Sequence, residues 1–285
     1  FAEAEALSAA MAEPAPVTIR ANTLKISRDQ LMDRLIAEGA IASPCPYSPF
    51  GITLASSPLP PYQLSPFRDG FMTVQDESSQ LATMLLSPQA GERILDLCAA
   101  PGGKATLLAQ LMNNQGEVVA ADKGERKLPL ITQNANRLGV DIITLLRHDA
   151  TQPLSPEVAK GGFHRVLIDP PCSGLGVIRR HPEAKWRTTP ADFERLPLLQ
   201  QTILEQGARY LKPDGTLLYA TCTTTNQENE GVVDDFLSRH PEFVVEELQT
   251  LFPHLRDLIT DRGFFRSWPH RHAMDGFFAA RLRRR

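Results

Sequence analysis

From Gly91 onward, short apolar runs alternate with stretches of helical periodicity, a pattern that few folds accept. Strands are predicted at Arg93 to Leu97, Glu117 to Ala121, Asp141 to Leu146, His164 to Ile168 and Gly215 to Ala220. Helices are predicted at Lys104 to Met112, Gly124 to Leu138, Leu196 to Leu211 and Gln227 to Ser238. This order predicts an α/β architecture, a mainly parallel sheet covered on both faces. Two more strand-like runs, Glu242 to Leu248 and Gly276 to Leu282, follow without a closing helix and fit a hairpin at the sheet edge. Ligands of such sheets bind at the carboxyl ends of the strands, so the residues that end each strand are where chemistry is expected.

The first 75 residues read differently. Val17 to Asn22 reads as a strand, and Ser27 caps a helix whose apolar positions Leu31, Leu35 and Ile36 recur at helical spacing until Gly39 stops it. Seven prolines between residues 43 and 66 predict a connector or irregular edge. A helix from about Asp76 to Leu86 ends at Ser87-Pro88. The expected organisation is a small N-terminal α+β domain with its Pro-rich connector over 1–75 and a larger domain over 76–285, as suits a chain of 285 residues. Phe1 is not an initiator Met, so the chain is expected to be a fragment or a trimmed product.

Charged residues at 22% and hydrophobic ones at 42% are ordinary globular values. With no apolar run of membrane-spanning length and no secretory leader, a soluble, cytoplasmic protein without a membrane partner is expected. Cysteines at 45, 98, 172 and 222 include no Cys-x-x-Cys pair and have no His at ligand spacing, so neither a zinc site nor a disulfide framework is expected. A net charge of -3 gives no overall basic footprint. Arg179, Arg180, His181, Lys185 and Arg187 nevertheless gather around Trp186, while Arg262, Arg266, Arg271, Arg281 and Arg283 to Arg285 load the C-terminal end. Each set reads either as a solvated basic face or, around Trp186, as a surface for stacking bases and pairing phosphates.

The first strand passes into its helix through Leu95-Asp-Leu-Cys-Ala-Ala-Pro-Gly-Gly-Lys104. Glycines there let a ligand approach the backbone, and the helix N-terminus offers unpaired N–H groups. The segment is neither Gly-x-Gly-x-x-Gly nor a P-loop. Asp122 ends the next strand, where an acid can hold ribose hydroxyls, and Asp149 and Asp169 follow the third and fourth. Four consecutive strands ending in glycines or acids describe a cofactor crevice. Two thiols join them, Cys172 in Asp-Pro-Pro-Cys-Ser-Gly (169–174) and Cys222 in Tyr-Ala-Thr-Cys-Thr (219–223), each placed after an apolar strand. A lone cysteine such as Cys45 is by default a small buried hydrophobe, but two at neighbouring strand ends suggest sulfur chemistry on a substrate.

Taken together, Asp-Leu-Cys-Ala-Ala-Pro-Gly-Gly-Lys, Asp-Pro-Pro-Cys-Ser-Gly and Ala-Thr-Cys resemble the Sun/Nol family of S-adenosylmethionine-dependent RNA cytosine-5 methyltransferases, over about residues 74 to 282 beginning with Val74-Gln-Asp-Glu-Ser-Ser. Val177-Ile-Arg-Arg-His-Pro-Glu-Ala-Lys-Trp186 is most similar to the bacterial small-subunit rRNA branch. The resemblance implies a Rossmann-like seven-stranded methyltransferase fold and S-adenosylmethionine as cofactor. It implies cofactor contacts from Cys98, Ala99, Ala100, Pro101, Gly102, Gly103 and Lys104, with Asp122 on the ribose, Asp149 near the adenine and Asp169 near the methionine end or the target base. It also implies Cys222 as nucleophile, Cys172 as the residue that aids product release, and an RRM-like RNA-binding role for residues 1–75. The implied partner is RNA, 16S rRNA in particular, with an unstacked target cytosine, met by a monomer. Two other classes compete. An amino-group methyltransferase would share Asp-Pro-Pro but is expected to have an aromatic where Cys172 stands, and a non-catalytic RNA-binding scaffold would have no use for the thiols and acids.

Overall fold

The computed structural model describes residues 2–285 and contains two sheets. The smaller is built from β1 (Val17–Ala21), β2 (Ile41–Pro44), β3 (Gly51–Ser56) and β4 (Met72–Val74), in the order β2-β3-β1-β4 and antiparallel throughout. With the helix Arg28–Ala37 after β1 and the short helix Ser65–Arg68 before β4, the connectivity is β-α-β-β-α-β, the ferredoxin-like arrangement. The predicted helix start holds, with Ser27 and Gln30 forming a reciprocal capping box. Ile19, Leu31, Leu35, Ile52 and Met72 are fully buried between sheet and helices. An N-terminal helix, Ala2–Ala12, lies outside this core and buries none of its residues.

The Pro-rich stretch is corrected by the structure, since two strands lie where a connector or irregular edge was expected. Its prolines fall in turns or open short helical segments at Pro61 and Pro66, apart from Pro44, which ends β2 at the sheet edge. There a missing N–H removes no ladder hydrogen bond.

The larger sheet contains β5 (Arg93–Asp96), β6 (Glu117–Asp122), β7 (Ile143–Arg147), β8 (Phe163–Ile168), β9 (Leu211–Thr221), β10 (Phe243–Val245), β11 (Phe265–Ser267) and β12 (Phe277–Arg284). Its order is β10-β12-β9-β8-β5-β6-β7, with β11 paired to β12. Strands β5 to β9 are mutually parallel, and β12 runs antiparallel between β9 and β10. This is the Rossmann-like methyltransferase sheet that the motifs implied. The expected edge hairpin is a pair of non-consecutive strands, because β11 and short helical turns separate β10 from β12. Both faces are apolar, with Ile94, Leu167 and Leu218 on one side and Leu95, Val166 and Leu217 on the other, all fully buried. Each such leucine or valine contributes roughly 1.5–3 kcal/mol, so sheet geometry is firmly fixed and the strand ends are rigid mounts.

The small sheet turns its second face toward the large domain. Arg20 on β1 is buried to 1% exposure and donates to Gln75, to the Gly103 carbonyl at 2.8 Å and to Thr106 Oγ1 at 3.1 Å. Burial first, and Arg137 second, push its guanidinium down to about 9. Asn22 bonds the carbonyls of Gly70 and Leu138, and Arg137 those of Phe67 and Met72. An RRM presents aromatic residues on an open sheet face. Here that face carries Thr18 and Arg20 and is closed against the large domain, so it is not available in the RRM manner.

Candidate active site

Three adjoining cavities of about 320, 510 and 300 Å³ run along the carboxyl ends of the parallel strands, and Cys98 lines all of them. The turn after β5 supplies one wall. Gly102 adopts φ +101° before the helix Gly103–Leu111, and a Cβ there would sit 3.1 Å from the Ile131 backbone, so a side chain is excluded by both torsion and space. Asp122 steadies the turn from β6, accepting from Ala100 N at 3.2 Å and Gly124 N at 2.7 Å. Asp149 stands beside the 300 Å³ cavity but is already engaged, by Lys123 Nζ at 2.6 Å and by Thr151 N and Oγ1. Those bonds, Lys123 first, hold its carboxyl down to about 2.

At the centre of the groove Lys104 Nζ meets Asp169 Oδ2 at 2.6 Å. Burial works to strip the lysine of its charge, but the Asp169 charge and hydrogen bond, with help from Cys222 and Asp96, outweigh it and its pKa rises. The ammonium is therefore permanent and lies within electrostatic reach of the Cys222 thiol. Cys172 Sγ and Cys222 Sγ are 3.4 Å apart, on the loops after β8 and β9, and both line the 510 Å³ cavity with Asp169. The hydrogen bond to Cys222, and then burial, push the Cys172 thiol well up, so this member of the pair keeps its proton. Cys98 is pushed up too, by burial and then by Asp169 and the other acids around it, which makes it a wall and not a nucleophile. Cys45 lies far off in the small domain, buried beside Thr53 Oγ1, its thiol pushed up to about 12 by burial, as its default reading predicted. No cluster of potential metal ligands exists among the described residues.

Two buried carboxylates had no role in the sequence reading. Asp96 ends β5 at 1% exposure, and neither of its oxygens has a hydrogen-bond partner. Burial first, with Asp169 and Asp122 adding and Lys104 opposing, raises its pKa to about 8. The strand-end rule that singled out Asp122, Asp149 and Asp169 applies equally to it. Glu228 is fully buried behind the thiol loops, and only the folded structure shows what it touches.

The basic sets are largely consumed within the protein. Arg179 and Arg180 pair with Asp275 at 2.9 and 2.5 Å, and Arg180 also with Asp76 at 2.7 Å. Arg262, Arg266 and Arg281 pair with Asp234, Glu230 and Glu246, and Arg271 with Glu3. Lys185 and Arg187 have no ion pair among the described residues and flank Trp186, which is 88% exposed, and Arg187 also lines the 510 Å³ cavity.

Two family models match the chain, one described as 16S rRNA methyltransferase RsmB/F over residues 83–283, the other as the ferredoxin-like domain of these methyltransferases over residues 2–59. The chain belongs to the RsmB/F family of 16S rRNA methyltransferases. It is 37% identical over 284 residues to the probable ribosomal RNA small subunit methyltransferase B of Synechocystis sp., covering 99% of this chain and 63% of that protein. It is 38% identical over 283 residues to the 28S rRNA (cytosine-C(5))-methyltransferase of Mus musculus, covering 95% of this chain and 35% of that protein. Among solved structures, NSun6 from Pyrococcus horikoshii with SFG, an S-adenosylmethionine analogue, superposes with a TM-score of 0.86 at 25% identity, covering 99% of this chain and 94% of that one. Family membership carries dependence on S-adenosylmethionine, and the groove fits that cofactor. It combines a Gly102-Gly103 turn, an acid, Asp122, at the end of β6 and a buried carboxyl, Asp96, whose two oxygens have no hydrogen-bond partner. No helix of the described residues is long and apolar enough to cross a membrane.

Proposed function

We propose that this chain transfers a methyl group from S-adenosylmethionine to carbon 5 of a cytosine in rRNA, 16S rRNA in particular, through a covalent adduct on Cys222. The observation that carries this reading is the pair of thiols 3.4 Å apart beside the Lys104–Asp169 ion pair, in one cavity. Carbon 5 of cytosine is a poor nucleophile. Attack of the Cys222 thiolate on carbon 6 forms a C–S bond and moves the ring electron pair to carbon 5, which then behaves as an enamine. Bound S-adenosylmethionine supplies an electrophilic methyl on a sulfonium, and its thioether leaves with the C–S bonding pair. Transfer of the carbon-5 proton to a solvent water acting as base rebuilds the double bond, and the C–S bond breaks with its pair to release the Cys222 sulfur.

The other residues divide the remaining work. Asp169 holds the N3 and amino edge of the base, and the Lys104 ammonium fixes the Asp169 carboxylate through their 2.6 Å contact. Cys172, which keeps its proton, stands where it can deliver that proton to the departing Cys222 sulfur. Gly102, Gly103 and Asp122 hold the cofactor, with Asp149 near the adenine. Asp96 is suited to the methionine ammonium, because a cation with N–H donors satisfies both of its vacant oxygens.

A base must leave its stack to reach a cavity at the strand ends. Trp186, exposed between Lys185 and Arg187, suits a neighbouring base and its phosphates. Residues 1–75 form the ferredoxin-like RNA-binding domain of this reading, and 76–285 the catalytic one. The RNA contacts of the small domain come from surfaces other than its buried sheet face. The protein works as a monomer in the cytoplasm, where rRNA is available.

An amino-group methyltransferase has no use for a thiol in the Cys172 position, and a scaffold has none for two thiols in contact. The test is incubation with labelled S-adenosylmethionine and 16S rRNA, with nucleoside analysis of the product. Recovery of 5-methylcytidine is expected, and label on an exocyclic amine would overturn the reading. In the same assay Cys172→Ala should accumulate a protein–RNA adduct that survives denaturing electrophoresis. A clean gel would remove Cys172 from release.

A further inference from the structure

The two thiols arrive from different strands, 50 residues apart in sequence, yet their sulfurs sit 3.4 Å from one another. Something must hold the two loops in register. Behind them lies the Glu228 carboxylate, 0% exposed. Its Oε2 accepts from Ser173 N at 2.8 Å, next in sequence to Cys172, and from Gln200 Nε2 at 2.9 Å. Its Oε1 accepts from Ser173 Oγ at 2.5 Å, Thr225 Oγ1 at 2.9 Å and, more distantly, Thr223 Oγ1 at 3.3 Å, next in sequence to Cys222. Ser173 Oγ and Thr223 Oγ1 are themselves 2.7 Å apart.

The same cluster fixes the far side of each cysteine. Gln200 also donates to the Pro171 carbonyl at 3.0 Å, and Asn229 accepts from Thr221 Oγ1 and donates to the Thr223 carbonyl at 3.1 Å. The backbone carbonyl of Cys222 receives Gly176 N at 3.0 Å, where a Cβ would come within 2.0 Å of the Gly276 carbonyl oxygen. Pro171, Ser173 and Thr223 are thus tied to one carboxylate through at most two hydrogen bonds, and Thr221 through three.

We infer that Glu228 is a positioning residue for the methyl-transfer reaction: it clips the Cys172 and Cys222 loops together and sets the separation of the two thiols. It touches neither substrate nor cofactor. The inference rests on the two-thiol mechanism proposed above, in which adduct formation and release both need sulfur placed on carbon 6 while a second thiol stays in contact. Misplacement of a reacting atom by about 1 Å costs on the order of 100-fold in rate. A carboxylate is required because its two oxygens accept from five donors on three segments. An amide of the same shape puts a donor where an acceptor is needed.

The deciding variant is Glu228→Gln, assayed with rRNA and S-adenosylmethionine beside wild type, Cys222→Ala and Cys172→Ala. The expected result is a fall of about 100-fold in kcat, with KM for RNA and the calorimetric cofactor affinity within twofold of wild type. Both appearance and decay of the covalent adduct should be slowed, a signature that a merely structural defect would not give. Ser173→Ala and Thr223→Val each remove one hydroxyl from the clip and should show the same split at roughly tenfold. They decide the matter alone if Glu228→Gln fails to fold. Unchanged kcat in these variants, or a loss that tracks cofactor affinity or melting temperature, would overturn the role of Glu228. Retained turnover in Cys222→Ala would instead overturn the thiol mechanism itself, so the two failures are distinguishable.

Discussion

Glu228, on the loop after β9, and Asp96, at the end of β5, are both buried carboxyl groups, and they are treated in opposite ways. Glu228 is saturated, with donors from Ser173, Thr223, Thr225 and Gln200 filling its acceptor positions. Asp96 has no donor at all. Leaving a buried acceptor unmade costs about 1–3 kcal/mol, more if charged, so the empty one is the costlier to keep. The difference separates what a fold does for itself from what it holds ready for a ligand. Behind the thiols the carboxylate is used to fix geometry, whereas at the end of β5 one is left without a donor.

The largest test of this division is Cys222→Ala, which should abolish turnover while leaving cofactor binding intact by calorimetry. A parallel loss of binding would mean that the two sides are not separable. Next in size, Glu228→Ala should destabilise the protein by about 3 kcal/mol or more, because several buried donors lose their acceptor together; chemical denaturation measures this. Asp96→Asn should do the reverse. An unfolded chain ionises this carboxyl near 3.8 and the folded chain only near 8. Between those values the unfolded form has released a proton that the folded form keeps, so wild-type stability falls as pH rises through that window. The melting temperature of Asp96→Asn should therefore exceed that of wild type by a margin that grows from pH 5 to pH 8 and then levels. Its cofactor affinity should fall about tenfold, the value of one charged hydrogen bond. A margin independent of pH would show that Asp96 is not a buried neutral acid. Smallest is Asp122→Ala, expected to weaken cofactor binding severalfold, since Asp122 also braces the turn through Ala100 and Gly124.

The parallel strands were legible because a strand buried on both faces is a nearly unbroken apolar run, and β5 to β8 lie within a few residues of their predicted places. The strands β2 and β3 were hidden by prolines whose position at an edge, and not their number, decides what they disrupt. The helix expected from Gln227 begins at Glu230, because Glu228 and Asn229 are spent on the loops around the thiols. Cys98, Asp122, Asp169, Cys172 and Cys222 meet in one cavity, as strand-end logic required. What periodicity cannot carry is pairing. Arg179 and Arg180 read as an RNA-facing set, yet they hold Asp275 and Asp76 inside the protein, and His181, Lys185, Trp186 and Arg187 are the members that remain turned outward.

The Arg20 contact with the Gly103 carbonyl has a practical consequence for dissecting this enzyme. The guanidinium of the small sheet ends on the same glycine turn that the proposed function assigns to the cofactor. Cutting away the first 75 residues would therefore open a wet hole behind the Gly102-Gly103 turn as well as removing a module. Domain deletion cannot tell recognition from catalysis here, and a chimera that borrows a small domain from a relative must bring an arginine at position 20 with it.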